Sequence, residues 1–355
     1  MNRRFKRVAV LKGGVSSERE VSLRSGAAIA QGLREGGYEV DEVDVVAKDF
    51  SLPAGVEAVF VALHGTFGED GEVQQVLEKM KMPYTGSNAE SCRIAFDKVL
   101  TRERLEANGI PVPRGEVLTV SEDRKMPLPL VVKPPREGSS VGCHLVFDET
   151  EWEAAFSDAV RYSGAALVEE YIPGRELTVG VVGISNIEQG IGNVEGDGKL
   201  AHNNEDLGRE RTQGTQKNKE HSGMESLSSM RSFAATSKTG GGLQVLPVVE
   251  IKTASAWYDF EAKYVTGDTQ YAVPAELPSE TTAELQAIAL KTFRCLEAEG
   301  FGRVDFRLSP EGKPYVLELN SIPGFTATSL LPKAAESAGI GFSELCCRIM
   351  QLAHL

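Results

Sequence analysis

Short apolar runs alternate with stretches of helical spacing, and glycine-rich turns separate the two. Residues 7–11 form an apolar strand that runs into GGVSSEREVS, and the helix that follows carries Val21, Leu23, Ala27, Ala28, Ala30 and Leu33 among its apolar positions. Strand, glycine turn and helix open an α/β domain. Further strands are expected at 39–45 and at 58–63, the second leading into HGTFGEDG, and this periodic part ends near Gly86. A helix with charged flanks follows over 96–107; Gly109 stops it, and Pro111 and Pro113 of IPVPRG mark a domain junction. VVKPPREGSSVGCHLVF reads as strand, loop, strand, because its last five residues are too few and too β-prone to start a helix. ALVEEYIPGREL puts Glu169 and Glu170 at a strand end before a Pro-Gly turn. Residues 281–299 form an amphipathic helix, and GRVDFRLSPEGKPYVLELN forms a β-hairpin about a Pro-Glu-Gly turn.

Residues 185–243 break the pattern. Rich in Gly, Ser, Asn and Thr, with nearly balanced charge and little apolar periodicity, they predict a disordered or loosely ordered insertion. VGVVG and LQVLPVVEI on its two sides look like strands, so the insertion sits at a hairpin tip, where added loop length costs little stability.

A length of 355 residues allows two or three domains with a cleft between them. The formal charge of -13 disfavours a nucleic-acid partner, which would call for a basic patch. Five scattered cysteines without C-x-x-C spacing suggest neither a disulfide framework nor a zinc site. The apolar run in MNRRFKRVAVLKGG ends at Lys12, too soon for a signal peptide, and no later run approaches a transmembrane helix. A cytoplasmic protein acting on small molecules, without nucleic acid or membrane partners, is expected.

REGSSVG is not a P-loop, because Lys133 precedes the glycines. The backbone N–H groups of residues 138–142 still suit an anion nest with Lys133 beside it, and on this stretch alone a plain hairpin tip fits as well. In the later hairpin, Arg303, Asp305 and Arg307 share one sheet face, Glu318 and Asn320 share a face on the partner strand, and the turn brings Asp305 nearly opposite Glu318. Two carboxylates and an amide oxygen suit a hard cation such as magnesium; the competing reading is a solvated face with cross-strand ion pairs. The adjoining SIPGFTATS supplies N–H and hydroxyl donors.

The stretches GGVSSEREVSLRSG, ALHGTFGEDG, PYTGS, FDK, VVKPPREGSSVG, VEEYIPGREL, YDFEAKY, GRVDF and LELNSIPGFTATSLLP, in this order, resemble the D-alanine:D-alanine ligases of the ATP-grasp superfamily over nearly the whole chain outside the insertion. The resemblance implies an α/β fold, α+β in its ATP-binding part: a Rossmann-like N-terminal domain at 1–93, a central ATP-grasp subdomain at 94–175, and a C-terminal one at 176–355. It implies ATP and Mg2+ or Mn2+ as cofactors, two D-alanine molecules as substrates, a homodimer, and a role in peptidoglycan precursor synthesis. REGSSVG becomes the loop that closes over the phosphates.

Carried over residue by residue, the resemblance gives Glu18 the ammonium of the first D-alanine and puts His64 near its carboxylate. A Ser17–Glu20 capping box would explain its neighbours but leaves Glu18 free. Lys98 and Lys133 are similar to the phosphate-binding lysines, with Ser139 and Ser140 on the closing loop. Glu169, Glu170, Tyr171 and Ile172 correspond to the adenine-reading hinge and Glu176 to the ribose contact. Tyr258, Lys263 and Tyr264 fall on the mobile loop. Arg303 resembles the guanidinium that stabilises the tetrahedral intermediate, assisted by the N–H of Gly324. Ser329 and Leu330 match the second substrate's carboxylate site at a helix start. Asp305, Glu318 and Asn320 are the metal ligands. Pro135, Phe260 and the insertion depart from the family pattern.

Two other classes compete. A dinucleotide oxidoreductase fits the opening strand, but KGGVSSER lacks G-x-G-x-x-G, and hydride transfer has no use for Asp305, Glu318 and Asn320 together. A catalytically inactive nucleotide-binding module is opposed by a competent residue at every proposed catalytic position. Within the family, a ligase forming D-alanyl-D-lactate is the alternative, and the resemblance associates a tyrosine at Tyr264 with peptide formation. Its hydroxyl would hydrogen-bond to Glu18 and Ser139, and losing it leaves those partners unpaired. Tyr264→Phe should therefore gain measurable D-alanyl-D-lactate synthesis while the wild type makes the dipeptide almost exclusively. Mass spectrometry of products with both acceptors present checks this, and an unchanged ratio would remove the role of the hydroxyl.

Overall fold

A computed structural model of the chain describes residues 3–184, 235–236, 242–252 and 269–355. Tyr258, Lys263 and Tyr264 lie outside the described residues, as does most of 185–243.

Strands β1 (Arg7–Gly13), β2 (Glu39–Val45) and β3 (Ala58–Val61) form a parallel sheet in the order β2-β1-β3. All four residues of β3 are buried, the continuous apolar run typical of a parallel strand covered on both faces. Helix α1 (Arg19–Glu35) packs on β1, with Ile29, Ala30 and Leu33 in one core with Val8 and Val10. The Ser17–Glu20 capping box does not form. Glu18 occupies the N-cap position without a side-chain cap, and Ser16 instead accepts from the Glu18 N–H at 3.2 Å while donating to the His64 carbonyl at 2.6 Å.

After α2 (Glu72–Lys79), the helix expected over 96–107 is two helices, α3 (Ala89–Phe96) and α4 (Lys98–Ala107). Asp97 between them is extended and accepts from the N–H groups of Val99 and Leu100, so it ends one helix and caps the next. Strands β4 (Gly115–Leu118), β5 (Leu130–Lys133), β6 (His144–Val146) and β7 (Ala166–Glu170) form an antiparallel sheet in the order β4-β7-β5-β6. Helix α5 (Glu149–Ser163) covers this sheet with Trp152 and Phe156.

The third sheet is built on β8 (Arg175–Ile184). Its described partners are β9 (Ala235–Thr236), β10 (Gly242–Val245), β11 (Val249–Lys252), β12 (Gln270–Ala272), β13 (Phe301–Leu308) and β14 (Pro314–Asn320). β8 and β10 pair antiparallel, as expected for the two sides of an insertion. The boundary at residue 243 needs correction: Gly242, Leu243, Ala235 and Thr236 are laddered strand, because backbone pairing requires no apolar period. Helix α6 (Ser279–Cys295) packs Leu285, Ala289 and Phe293 against Leu177, Val179, Val304 and Phe306.

Helices α7 (Leu330–Ser337) and α8 (Phe342–Gln351) fill the space between the first and third sheets. Ile29, Leu33 and Phe60 of the first unit share one core with Val182, Phe301, Leu331, Leu345 and Ile349. Full burial of each such side chain contributes about 1.5–3 kcal/mol, so the two units are held as one body.

A second tie lies at Tyr84 and His354, which exchange two backbone hydrogen bonds of 3.0 Å and stack their rings. His354 Nε2 lies 2.7 Å from Glu299 Oε2. That bond raises the His354 pKa against the opposing effect of burial. A raised folded-state pKa stabilises fully below the unfolded value of about 6.5 and loses its effect as pH rises through the folded value. The stability advantage of the wild type over Glu299→Gln in urea unfolding should therefore be largest on the acid side of that window, while Glu299 stays ionised, and shrink as pH rises. A constant difference would assign it to packing.

Candidate active site

Alternation along the third sheet sends Glu176 and Thr178 of β8 and Arg303, Asp305 and Arg307 of β13 to one face. β14 meets that face through a bulge. Phe306 pairs with Val316, but Asp305 pairs with Glu318 and Arg303 with Asn320, which leaves Leu317 as the extra residue. Asp305 accepts at Oδ1 from Thr178 Oγ1 at 2.5 Å and from Arg303 Nε at 2.8 Å. Its Oδ2 accepts from Arg303 Nη2 and Asn320 Nδ2, both at 2.9 Å. Arg307 donates to the Ile172 carbonyl at 3.0 Å and pairs with Glu176 at 3.3 Å.

The loop between β5 and β6 is wound tightly, with Ser139 and Ser140 at φ 49° and 60°. Left-handed serines cost about 1–3 kcal/mol each, and such strain persists where a loop must present its N–H groups. Three contacts dock the loop on the start of α4. The Lys98 N–H donates to the Pro135 carbonyl at 2.9 Å, Lys98 Nζ to the Glu137 carbonyl at 2.5 Å, and Arg136 Nε to Asp97 at 2.7 Å. On its other side Ser139 Oγ donates to Glu18 Oε1.

Lys133 is buried and pairs with the buried Glu169 at 2.6 Å. Burial alone would lower its pKa; Glu169 outweighs that and holds the ammonium above its ordinary value. Arg102 also reaches Glu169, at 3.3 Å, so a carboxylate taken out of water is met by two cations.

These residues border two adjoining cavities. The larger, about 520 Å³, is lined by Glu18, His64, Ser139, Arg303, Asn320, Gly324, Ser329 and Leu330. The smaller, about 90 Å³, is lined by Lys133, Ser140, Glu169, Glu170, Tyr171, Ile172, Glu176 and Asp305. Lys98, Glu137 and Glu318 line both, so the cavities meet there. Every candidate residue among those described thus falls on two connected spaces: amino-acid candidates with Arg303 and Ser139 in one, the other nucleotide candidates in the second, Lys98 and Glu318 on both, and Asn320 and Asp305 one on each. Among the described residues no three His, Cys, Asp or Glu side chains cluster for a metal. The set Asp305, Glu318 and Asn320, all oxygen donors and two of them acids, fits a hard cation by its chemistry.

Sequence reasoning missed Glu69 and Ser25. His64 is 3% exposed; its Nδ1 lies 3.0 Å from the Ile322 carbonyl and 3.5 Å from Glu69, and its Nε2 lies 3.0 Å from Ser25 Oγ. Burial pushes the Glu69 carboxyl up to about 7, with His64 opposing and the Glu18 and Glu318 charges reinforcing. For His64 burial favours the neutral ring, and Glu69 overturns that and raises its pKa. In HGTFGEDG two acidic residues stand side by side, and nothing in their order distinguishes Glu69 from Asp70.

Three sheets converging on a paired cavity, with a glycine-serine loop over it, define an ATP-grasp enzyme. The family model described as D-ala D-ala ligase C-terminus matches residues 105–207 and 224–351, and the one described as D-ala D-ala ligase N-terminus matches 42–87. The chain is 36% identical to the D-alanine–D-alanine ligase of Methylacidiphilum infernorum over 350 residues, 98% of this chain and 95% of the relative. It is 38% identical to that of Syntrophotalea carbinolica, covering 99% of this chain and 97% of the other. The crystal structure of the Bacillus anthracis D-alanine–D-alanine ligase complexed with ATP superposes with a TM-score of 0.70 at 26% identity, over 98% of this chain and 97% of that one. The chain belongs to the D-alanine–D-alanine ligase family.

The buried pair predicts a specific titration. In Glu69→Gln the largest raising partner is gone and burial remains, so the His64 imidazole should titrate below its wild-type midpoint, which lies above the ordinary value. Histidine ring resonances followed by NMR across pH report both. A His64 midpoint unmoved by the substitution would separate the two residues.

Proposed function

We propose that this enzyme joins two D-alanine molecules to D-alanyl-D-alanine, with ATP converted to ADP and phosphate through a D-alanyl phosphate, for peptidoglycan precursor synthesis. The observation that carries the reading is the meeting of the two cavities at Lys98 and Glu318, which sets an amino-acid pocket end to end with a nucleotide pocket. A carboxylate in the first would face the γ-phosphate of a nucleotide in the second.

In this reading Glu18 binds the ammonium of the first D-alanine, and His64, held beside Glu69, lies near its carboxylate. Lys98 and Lys133 hold the phosphates, and Ser139 and Ser140 close over them. Glu169, Glu170, Tyr171, Ile172 and Glu176 take the adenosine. Asp305, Glu318 and Asn320 would hold Mg2+ or Mn2+, which when bound supplies charge neutralisation at the transferring phosphoryl group. Arg303 and the Gly324 N–H face the charge that develops when the second amine attacks, and Ser329 and Leu330 at the start of α7 receive that substrate's carboxylate. Tyr258, Lys263 and Tyr264 complete the closing loop.

The chain divides in this reading near residues 93 and 175. Val15 and Val46, exposed at adjoining turns beyond β1 and β2, support a homodimer formed through the first unit. No helix among the described residues is long and apolar enough to cross a membrane. With that and its free thiols, the reaction is assigned to the cytoplasm, where ATP is made.

The test is ADP release, coupled through pyruvate kinase and phosphoenolpyruvate to lactate dehydrogenase, with magnesium, in the presence and absence of D-alanine. Release that requires D-alanine and is matched by D-alanyl-D-alanine in the products supports the ligase. Release indifferent to D-alanine, or none at all, would leave only a nucleotide-binding protein.

A further inference from the structure

The Asp305 carboxylate accepts four hydrogen bonds, two at each oxygen, which is about the number its lone pairs provide. A cation ligated by Asp305 must displace one of these donors. Thr178 is 1% exposed and fixed directly opposite Asp305 in the β8–β13 ladder. Asn320 presents Nδ2 to Asp305 and must turn its amide over to offer oxygen to a cation, which clears one position on Oδ2 but leaves the Arg303 fork across both oxygens. Arg303 is the donor with somewhere to go: its side chain lines the amino-acid cavity. We infer that the Arg303 guanidinium is a stand-in for the divalent cation, holding Asp305 until the cation takes the carboxylate and then turning to the cavity where the oxyanion forms. The inference rests on the metal site proposed above. Arg303 would then reach the oxyanion only once a bound cation had taken its place at Asp305.

The test titrates Mn2+ by electron paramagnetic resonance into the full chain with the β,γ-imido analogue of ATP. Removing any positive charge near a cation strengthens its binding, so the informative variant keeps the charge and loses the fork. Arg303→Lys should bind Mn2+ about three- to tenfold more tightly than the wild type, and nearly as tightly as Arg303→Gln. A gain confined to Arg303→Gln, or weaker binding in Arg303→Lys, would overturn the inference while leaving the metal site in place. Mn2+ binding unaltered in Asp305→Asn would remove the site itself and the inference with it. A direct readout on the wild type accompanies these: the 15Nε–H resonance of Arg303, assigned by its loss in Arg303→Lys, should shift when Mg2+ is added to the analogue complex. An unmoved resonance also overturns the idea.

Discussion

On β14 the side chains of Val316 and Leu319 both enter the core although they are three residues apart, an odd spacing that a regular strand cannot accommodate. The bulge opposite Asp305 resolves it. One extra residue, Leu317, lets the strand resume its alternation one step later, so that Glu318 and Asn320 fall on the site face and Leu319 returns to the core. Without that step, strict alternation from Val316 would bury Glu318 among Phe293, Val304 and Phe306. The cost of an unpaired carboxylate there is far greater than that of a local distortion. The register that makes Asp305 and Glu318 neighbours is thus fixed by the apolar side of the sheet, and the chemistry on the other side inherits it.

The remaining parts reach this face from other sheets. Lys133 and Glu169 come from the central sheet, Glu18 and His64 from the first unit, and the 134–142 loop ties them together through Glu18 on one side and Asp97 and Lys98 on the other. A site assembled this way tolerates little relative motion of its walls. The core shared by α1, α7 and α8 supplies that stiffness between the first and third sheets, while the central sheet has its own core around Trp152 and Phe156. The loop, strained at Ser139 and Ser140, is tied to its neighbours by polar contacts.

Much of this was legible in the sequence, for identifiable reasons. Period-two alternation gave the hairpin and its polar face, and strand β2 was found to the residue because glycine and charge bound it. The Asp97 break was missed because FDK reads as the charged flank of a helix; an aspartate that caps the next helix looks the same in a window of apolar spacing. Ser17 and Glu20 matched a capping pattern that the fold does not use, since Ser16 is bonded to the His64 carbonyl and Glu18, at the N-cap position, lines the cavity. Glu69 left no signal at all, because its role arises from burial beside His64, a contact made in space by the loop that carries both. Local patterns reveal elements and faces, but they do not reveal which acid a turn will bury.

The electrostatic balance of the site follows from these placements. The chain carries a formal charge of -13 and yet, in the proposed reading, must take up a polyanionic nucleotide. Its cations are already engaged: Lys133 with Glu169, Arg303 with Asp305, Arg307 with Glu176, and Lys98 at 3.8 Å from Glu318. A nucleotide alone would have to compete with these carboxylates for every lysine and arginine it meets. In the proposed reading a nucleotide that arrives with a divalent cation would carry replacement charge for Asp305 and Glu318, and such an exchange of partners costs far less than the loss of them. The acids that crowd the site are therefore no obstacle to anion binding. They keep the buried cations paired, and in the proposed reading they couple nucleotide binding to the metal that comes with it.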